Sequence, residues 1–263
     1  QPVQSGNGPM RDIVSVAAGS NFALAAHKDG YVYAWGYNVS GSLGQNVDLS
    51  TLGSYPTPLK VKGPDGTGYL GDARTGKIVK VFAYGNSAAA LTEKGQLYVW
   101  GASAFHQLGA RDDAIVYAYP HKVPGLNHVQ EVYISENNMV IQTEGTEIWV
   151  SGRQDTRITG WGDTRPDNGK DWAYDAESVY PLPMLNNTQT DYQDAVASVG
   201  LGAKQVILLT MEYDQYTENG AEKELLDKHV YMLGQDTQSL LGTLLQTEET
   251  ETTGNTEAYV NER

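Results

Sequence analysis

The sequence predicts an all-β chain, a β-propeller of four-stranded blades in four repeat units. Three observations predict it. One glycine-bounded hairpin recurs along the chain, a second glycine follows every copy at a fixed distance, and a Tyr-Pro pair follows three of them. Internal repetition of this kind marks supersecondary units that stack or close into a ring to bury their faces.

The first hairpin copy is Asp29-Gly30-Tyr31-Val32-Tyr33-Ala34-Trp35-Gly36, and the second is Lys94-Gly95-Gln96-Leu97-Tyr98-Val99-Trp100-Gly101. A looser third copy runs from Glu144 to Gly152 through Ile148 and Trp149, and a fourth, His229 to Gly234, follows a long insertion. Eight residues after each closing glycine stands another: Gly44, Gly109, Gly160 and Gly242. Leu43, Leu108 and Leu241 precede three of them, whereas Thr159 breaks the rule. Tyr55-Pro56, Tyr119-Pro120 and Tyr180-Pro181 then start an edge strand, where a missing N–H is tolerated.

Upstream of each hairpin lie two short apolar runs, such as Ile13 to Gly19 and then Phe22 to Ala26, joined by a tight turn. Each unit therefore reads as strand, turn, strand, hairpin, strand, glycine-bounded loop and edge strand. Asp29-Gly30 and Lys94-Gly95 supply the positive φ expected of a two-residue hairpin turn. Tyr31 to Trp35 and Leu97 to Trp100 are apolar on both faces, so each such strand needs cover on both sides. A blade between two neighbours provides that cover, whereas a two-layer sandwich with one wet face would alternate with polar residues. The unit boundaries fall at 1–54, 55–118, 119–178 with an insertion, 179–243 with an extended hairpin, and 244–263, an acidic tail or the start of a fifth repeat. Tyr259-Val260 either takes the place of a further Tyr-Pro strand or pairs with the first unit near Pro2-Val3 to close a ring.

Composition narrows the function. With 29 Gly and 17 Tyr among 263 residues, the chain is rich in turn and strand formers. It has no cysteine, which excludes disulfides, thiol nucleophiles and Cys-type zinc sites. A net charge of −14 works against binding a phosphate backbone, so no nucleic-acid partner is expected. No apolar run approaches the roughly 18 residues of a membrane-spanning helix, so no membrane insertion is expected. The chain starts at Gln1 without a leader pattern, which suggests a mature or excised segment.

The candidate chemistry is sparse. His27, His106, His121, His128 and His229 do not fall at metal-ligand spacing. Asp163, Asp167, Asp171 and Asp175, like Asp65 and Asp72, lack the spacing of a calcium loop and read as turn residues. No metal or cofactor is expected. No Gly-x-Ser-x-Gly elbow is present, and no carboxylate pair is singled out. Catalysis is therefore not expected. Asn38-Val39-Ser40 and Asn186-Asn187-Thr188 match the glycosylation triplet, a pattern common by chance. The candidate binding residues are Trp161 and Trp172, which stand outside the strand pattern in the polar insertion 152–178, and Tyr213 and Tyr216, in the insertion 212–228. Aromatics on projecting polar loops are typical contact residues.

The pattern Gly…Asp-Gly-x-Val-Tyr-x-Trp-Gly…Leu-Gly resembles the repeat of the regulator of chromosome condensation family, from Pro2 to about Gly242. The resemblance implies a propeller that is typically seven-bladed, so four units imply an incomplete or truncated ring. It also implies binding to other proteins. Its members include exchange factors for a small GTPase, a plant photoreceptor and a β-lactamase inhibitor; no residues here match the exchange surface, whereas the inhibitor reading, which depends on freely varying loop residues, stays open. The function expected is a non-catalytic protein-interaction module within a larger bacterial surface or secreted protein. The alternatives are a carbohydrate-binding or glycosidase-like propeller and an enzyme-inhibitor propeller. The protein partner is not readable from the sequence.

Overall fold

The structure, a computed structural model, describes residues 3–5, 8–45, 53–109, 114–144, 148–153, 180–181, 195–203, 205–218, 221–234 and 258–261. A small hairpin of β1 (Gln4–Ser5) and β2 (Gly8–Pro9) comes first. Four antiparallel sheets follow, each with its strands in sequence order. The first holds β3 (Ile13–Ala18), β4 (Phe22–His27), β5 (Val32–Tyr37) and β6 (Ser54–Lys60). The second holds β7 (Ile78–Tyr84), β8 (Ser87–Thr92), β9 (Leu97–Ala102) and β10 (Val116–Lys122). The third holds β11 (Val129–Ile134), β12 (Asn138–Thr143), β13 (Ile148–Gly152) and β14 (Tyr180–Pro181). The fourth holds β15 (Ala195–Leu201), β16 (Gln205–Glu218), β17 (Ala221–Gly234) and β18 (Ala258–Asn261). Strand β3 lies against β7, β7 against β11 and β11 against β15, which sets the four sheets out as propeller blades around their first strands.

Each Tyr-Pro strand pairs with the hairpin before it, so sheets and sequence repeats are offset by one strand. Prolines fall where the ladder slips: the register shifts between Ala34 and Gly36 opposite the Pro-containing β6, and between Tyr117 and His121 around Pro120. Tyr259 and Val260 pair with Tyr231 and Val230 as the fourth strand of the fourth blade. They do not pair with the first unit, because their register continues the β17 ladder. β16 and β17 form one unbroken ladder of 14 residues each, from Gln205↔Gly234 to Glu218↔Ala221.

The hairpin turns differ from the two-residue expectation. The amide of Gly30 donates to His27 O and that of His27 to Tyr31 O, which leaves a three-residue connection with Gly30 at φ +99°. The same bonds, Gly95 N to Thr92 O and Thr92 N to Gln96 O, build the second hairpin. A turn closed by a left-handed glycine matches the twist of the strands as well as a two-residue loop does.

The core lies between blades. Leu24, Ala26, Val32 and Ala34 of the first blade pack with Val81, Ala88, Ala90, Tyr98 and Trp100 of the second in one buried cluster. Val140, Ile148 and Val150 of the third meet Val196, Val199, Val206 and Leu208 of the fourth. Burying each such aliphatic side chain contributes about 1.5–3 kcal/mol. β9 is buried from Leu97 to Gly101, as its two apolar faces require, but Tyr33 and Trp35 on β5 are only half-buried. No blade covers that side of β5 among the described residues.

Candidate functional site

The turns between the first two strands of each blade open at the same end of the arc as the loops after the third strand. Asn21, Asn86 and Asn137 occupy equivalent turn positions. Their carbonyls accept the amides of Tyr37 (2.8 Å), Ala102 (3.0 Å) and Arg153 (2.9 Å), which lie just after the hairpin glycines. Those glycines, Gly36, Gly101 and Gly152, sit at φ +110°, +93° and +107°, and a Cβ on any of them would overlap the asparagine carbonyl. The glycine that ends each hairpin is thus what lets turn and loop close on one another.

The Leu-Gly loop fixes the seam between blades. Leu43 N donates to Asn38 Oδ1 (2.9 Å) and Leu108 N to Ser103 Oγ (3.3 Å), while both leucines are buried. The carbonyl before each leucine receives a bond from the next blade. Trp100 Nε1 donates to Ser42 O at 2.8 Å, and Ser151 Oγ donates to Gln107 O at 2.6 Å. Asn38 is 2% exposed and bonded within this loop, so the Asn38-Val39-Ser40 triplet is structural in the folded chain.

Between these turns and loops lies an open cleft of about 660 Å³. Gly19 and Ser20 of the first blade, Tyr84, Gly85 and Asn86 of the second, and Ser135 and Glu136 of the third line it, with Ala102, Ala104, Phe105 and Gln107 along one side. Ser20 N donates to Gly85 O at 2.7 Å and ties the first two turns together. Tyr84 is 45% exposed, and Phe105 carries the Arg153 guanidinium 4.9 Å from its ring centroid. Asn86 Oδ1 is buried and makes no hydrogen bond among the described residues. Two of the lining hydroxyls are committed, Ser87 Oγ to Ala102 O (2.7 Å) and Ser135 Oγ to Asn138 O (3.1 Å). The cleft therefore offers aromatic surface, hydrogen-bonding groups and the Glu136 carboxylate, a lining suited to contact with a protein surface.

At the opposite end, Lys60 from β6 reaches into a cluster of tyrosines. Its Nζ lies 3.7 Å from the Tyr31 ring centroid, 5.5 Å from Tyr69 and 5.9 Å from Tyr33. Tyr69 belongs to the excursion 61–77 between blades, which Asp72 organises. Its carboxylate accepts the amides of Arg74 (2.9 Å), Tyr69 (3.3 Å) and Thr75 (3.4 Å), and pairs with the Arg74 guanidinium at 3.2 Å. Partial burial alone would raise the Asp72 pKa, but these donors together hold it below the usual carboxylate value. His27 Nδ1 lies 2.7 Å from Asp29, inside its own hairpin turn.

Of the residues singled out in the sequence, Trp161 and Trp172 lie outside the described residues. Tyr213 and Tyr216 stand on β16 opposite Leu226 and Lys223, in the long hairpin that leaves the blade at the end away from the cleft. The cleft residues Tyr84, Asn86 and Glu136 were not singled out. The recurring turn asparagine was the available signal, visible once the hairpin glycines are set in register.

These sheets and seams define a β-propeller architecture of tandem repeats. The chain resembles the RCC1 repeat family: models of the regulator of chromosome condensation (RCC1) repeat match residues 13–42 and 78–107, and residues 29–91 and 94–140. Protein pim1 of Schizosaccharomyces pombe is 28% identical over 172 residues, covering 60% of this chain and 30% of that protein. The secretion-regulating guanine nucleotide exchange factor of Bos taurus is 30% identical over 147 residues, covering 54% and 30%. The chain thus spans about a third of the length of these curated relatives. The crystal structure of Prp20p from Saccharomyces cerevisiae, described with its binding properties to Gsp1p and histones, matches 76% of this chain and 45% of its own. At a TM-score of 0.52 and 22% identity, it shows the shared propeller fold.

Proposed function

We infer that the chain is a non-catalytic protein-interaction propeller and that its partner seats at the turn-side cleft. The carrying observation is the cleft itself. Turns from three blades converge there around exposed Tyr84 and the Glu136 carboxylate. The names of the relatives support a protein partner, since one is an exchange factor and another is described with Gsp1p and histones. A surface or secreted placement belongs to the same proposal, rests on composition, and is tested by cell fractionation.

The experiment places a photo-crosslinking residue at position 84 in the cleft and, separately, at position 94 in the opposite hairpin. One protein crosslinked at 84 but not at 94, and lost on Glu136→Lys, supports the reading. Equal crosslinking at both positions, or none, overturns it. An exchange-factor reading follows the bovine relative's name. It predicts that the chain accelerates release of labelled GDP from the captured partner, and that Glu136→Lys abolishes the acceleration.

A further inference from the structure

Two connections at the hairpin end join successive blades between equivalent anchor bonds. Around the excursion 61–77, Val61 N donates to Val32 O (2.9 Å) and Ile78 N to Gly30 O (3.0 Å). Around 123–128, Val123 N donates to Leu97 O (2.9 Å) and Val129 N to Gly95 O (3.0 Å). The first connection spends 17 residues between these anchors and the second only six. Beside the longer one, Tyr98 is 5% exposed, and its burial, followed by the nearby Asp72 charge, raises the pKa of its phenol. Trp149 stands at the same register position, opposite Ile141 as Tyr98 stands opposite Ala90. It packs against the core yet stays half-buried.

Where the shorter connection meets the third blade lies a pocket of about 290 Å³. Asn127, His128, Glu144 and Trp149 help to line it, with the buried Leu126 and Thr143. Glu144 N donates to His128 O at 2.9 Å, and His128 Nδ1 lies 3.3 Å from the Glu144 carboxylate. Both side chains are largely exposed, at 72% and 68%, so they keep polar capacity for a ligand. The carboxylate accepts hydrogen bonds, the imidazole N–H donates, and the Asn127 amide does both. Hydroxyl groups also donate and accept, so this mixed set suits a polyhydroxylated ligand. A cation calls for acceptors and an anion for donors. The volume falls at the small end of ligand pockets, room for one ring.

We propose that this pocket binds one pyranose ring of a glycan, with the C–H face of the sugar against Trp149 and its hydroxyls on Glu144, His128 and Asn127. A pyranose has an apolar face and a polar rim, and an indole beside a few convergent polar groups meets both. The pocket lies at the hairpin end of the blades, away from the turn-side cleft, so the two sites stand or fall separately.

Saturation-transfer-difference NMR of the chain with the methyl glycosides of glucose, galactose, mannose and N-acetylglucosamine tests this. At least one glycoside should take up saturation, most strongly at its ring C–H protons. Glu144→Ala should weaken its binding by about tenfold or more. Trp149→Leu keeps an apolar side chain against the core and should abolish the signal with an unchanged far-ultraviolet circular dichroism spectrum. If that variant fails to fold, Asn127→Ala and Glu144→Ala, both at exposed positions, carry the test. Absence of signal from all four glycosides overturns the proposal. Binding left unchanged by both Glu144→Ala and Asn127→Ala also overturns it, because the sugar then sits elsewhere. Saturation of tetramethylammonium with none of any glycoside overturns it as well, since the pocket would then be a cation site.

Discussion

The Trp100 indole N–H donates to the Ser42 carbonyl at 2.8 Å, across the seam between the first and second blades. The ring is fully buried, and the bond joins residues 58 positions apart in the chain. Trp100→Phe keeps most of the ring but leaves the Ser42 carbonyl without this donor, at a cost of about 1–3 kcal/mol. Trp100→Ala adds a cavity and should cost about 3–5 kcal/mol. Urea unfolding midpoints should rank wild type above Trp100→Phe and that variant above Trp100→Ala.

Gly101 and Gly85 both have positive φ, +93° and +58°, but their surroundings differ. A Cβ on Gly101 would overlap the Asn86 carbonyl, whereas one on Gly85 would meet nothing within 4 Å. Gly85→Ala should cost about 1 kcal/mol from backbone strain alone. Gly101→Ala adds the overlap and should cost about 3 kcal/mol or more, beyond the usual range of point mutants. Thermal unfolding of the two variants side by side reads the difference.

These two residues show what the sequence makes legible. Gly101 recurs as Gly36 and Gly152, and a repeated glycine beside a repeated strand marks a fixed backbone requirement. Trp100 is legible as a blade residue, but its partner Ser42 is not, since nothing local connects the two. The cleft is harder still: Ser20, Asn86 and Glu136 come from three separate turns and meet only through the propeller geometry. Val16 and Val81 look alike in sequence, and only the packing of β3 against β7 shows that the first blade covers Val81.

Asp72 makes stability depend on acid. Its folded-state pKa is lowered, so its contribution is fully present above the ordinary carboxylate value and is lost as pH falls through the lowered one. The wild-type unfolding midpoint should therefore drop as pH goes from about 5 towards 2. Asp72→Asn forfeits the Arg74 ion pair and weakens the amide bonds, at about 1 kcal/mol near neutral pH. Its deficit against wild type should shrink as the acid limit is approached. A deficit that stays constant over that range would assign the loss to packing instead of charge.

Lys80 and Lys60 show why one cation matters more than another. Lys80 Nζ meets Glu131 at 2.6 Å between the second and third blades, but both side chains are substantially wet, at 46% and 32% exposure. Glu131→Gln should therefore change stability by about 0–1 kcal/mol, an effect that salt removes. Lys60 has its Nζ over the Tyr31 ring, with Tyr33 and Tyr69 within 6 Å, and the attraction there is to ring quadrupoles. Lys60→Met keeps much of the aliphatic stem but removes the charge, and should cost about 0.5–2 kcal/mol. Because Tyr69 lies in the excursion 61–77, the loss should appear first as faster amide hydrogen exchange at Tyr69 and Leu70, whose amides bond to Asp72 and Val61. If exchange there is unchanged while global stability falls, Lys60 supports the first blade and not the excursion.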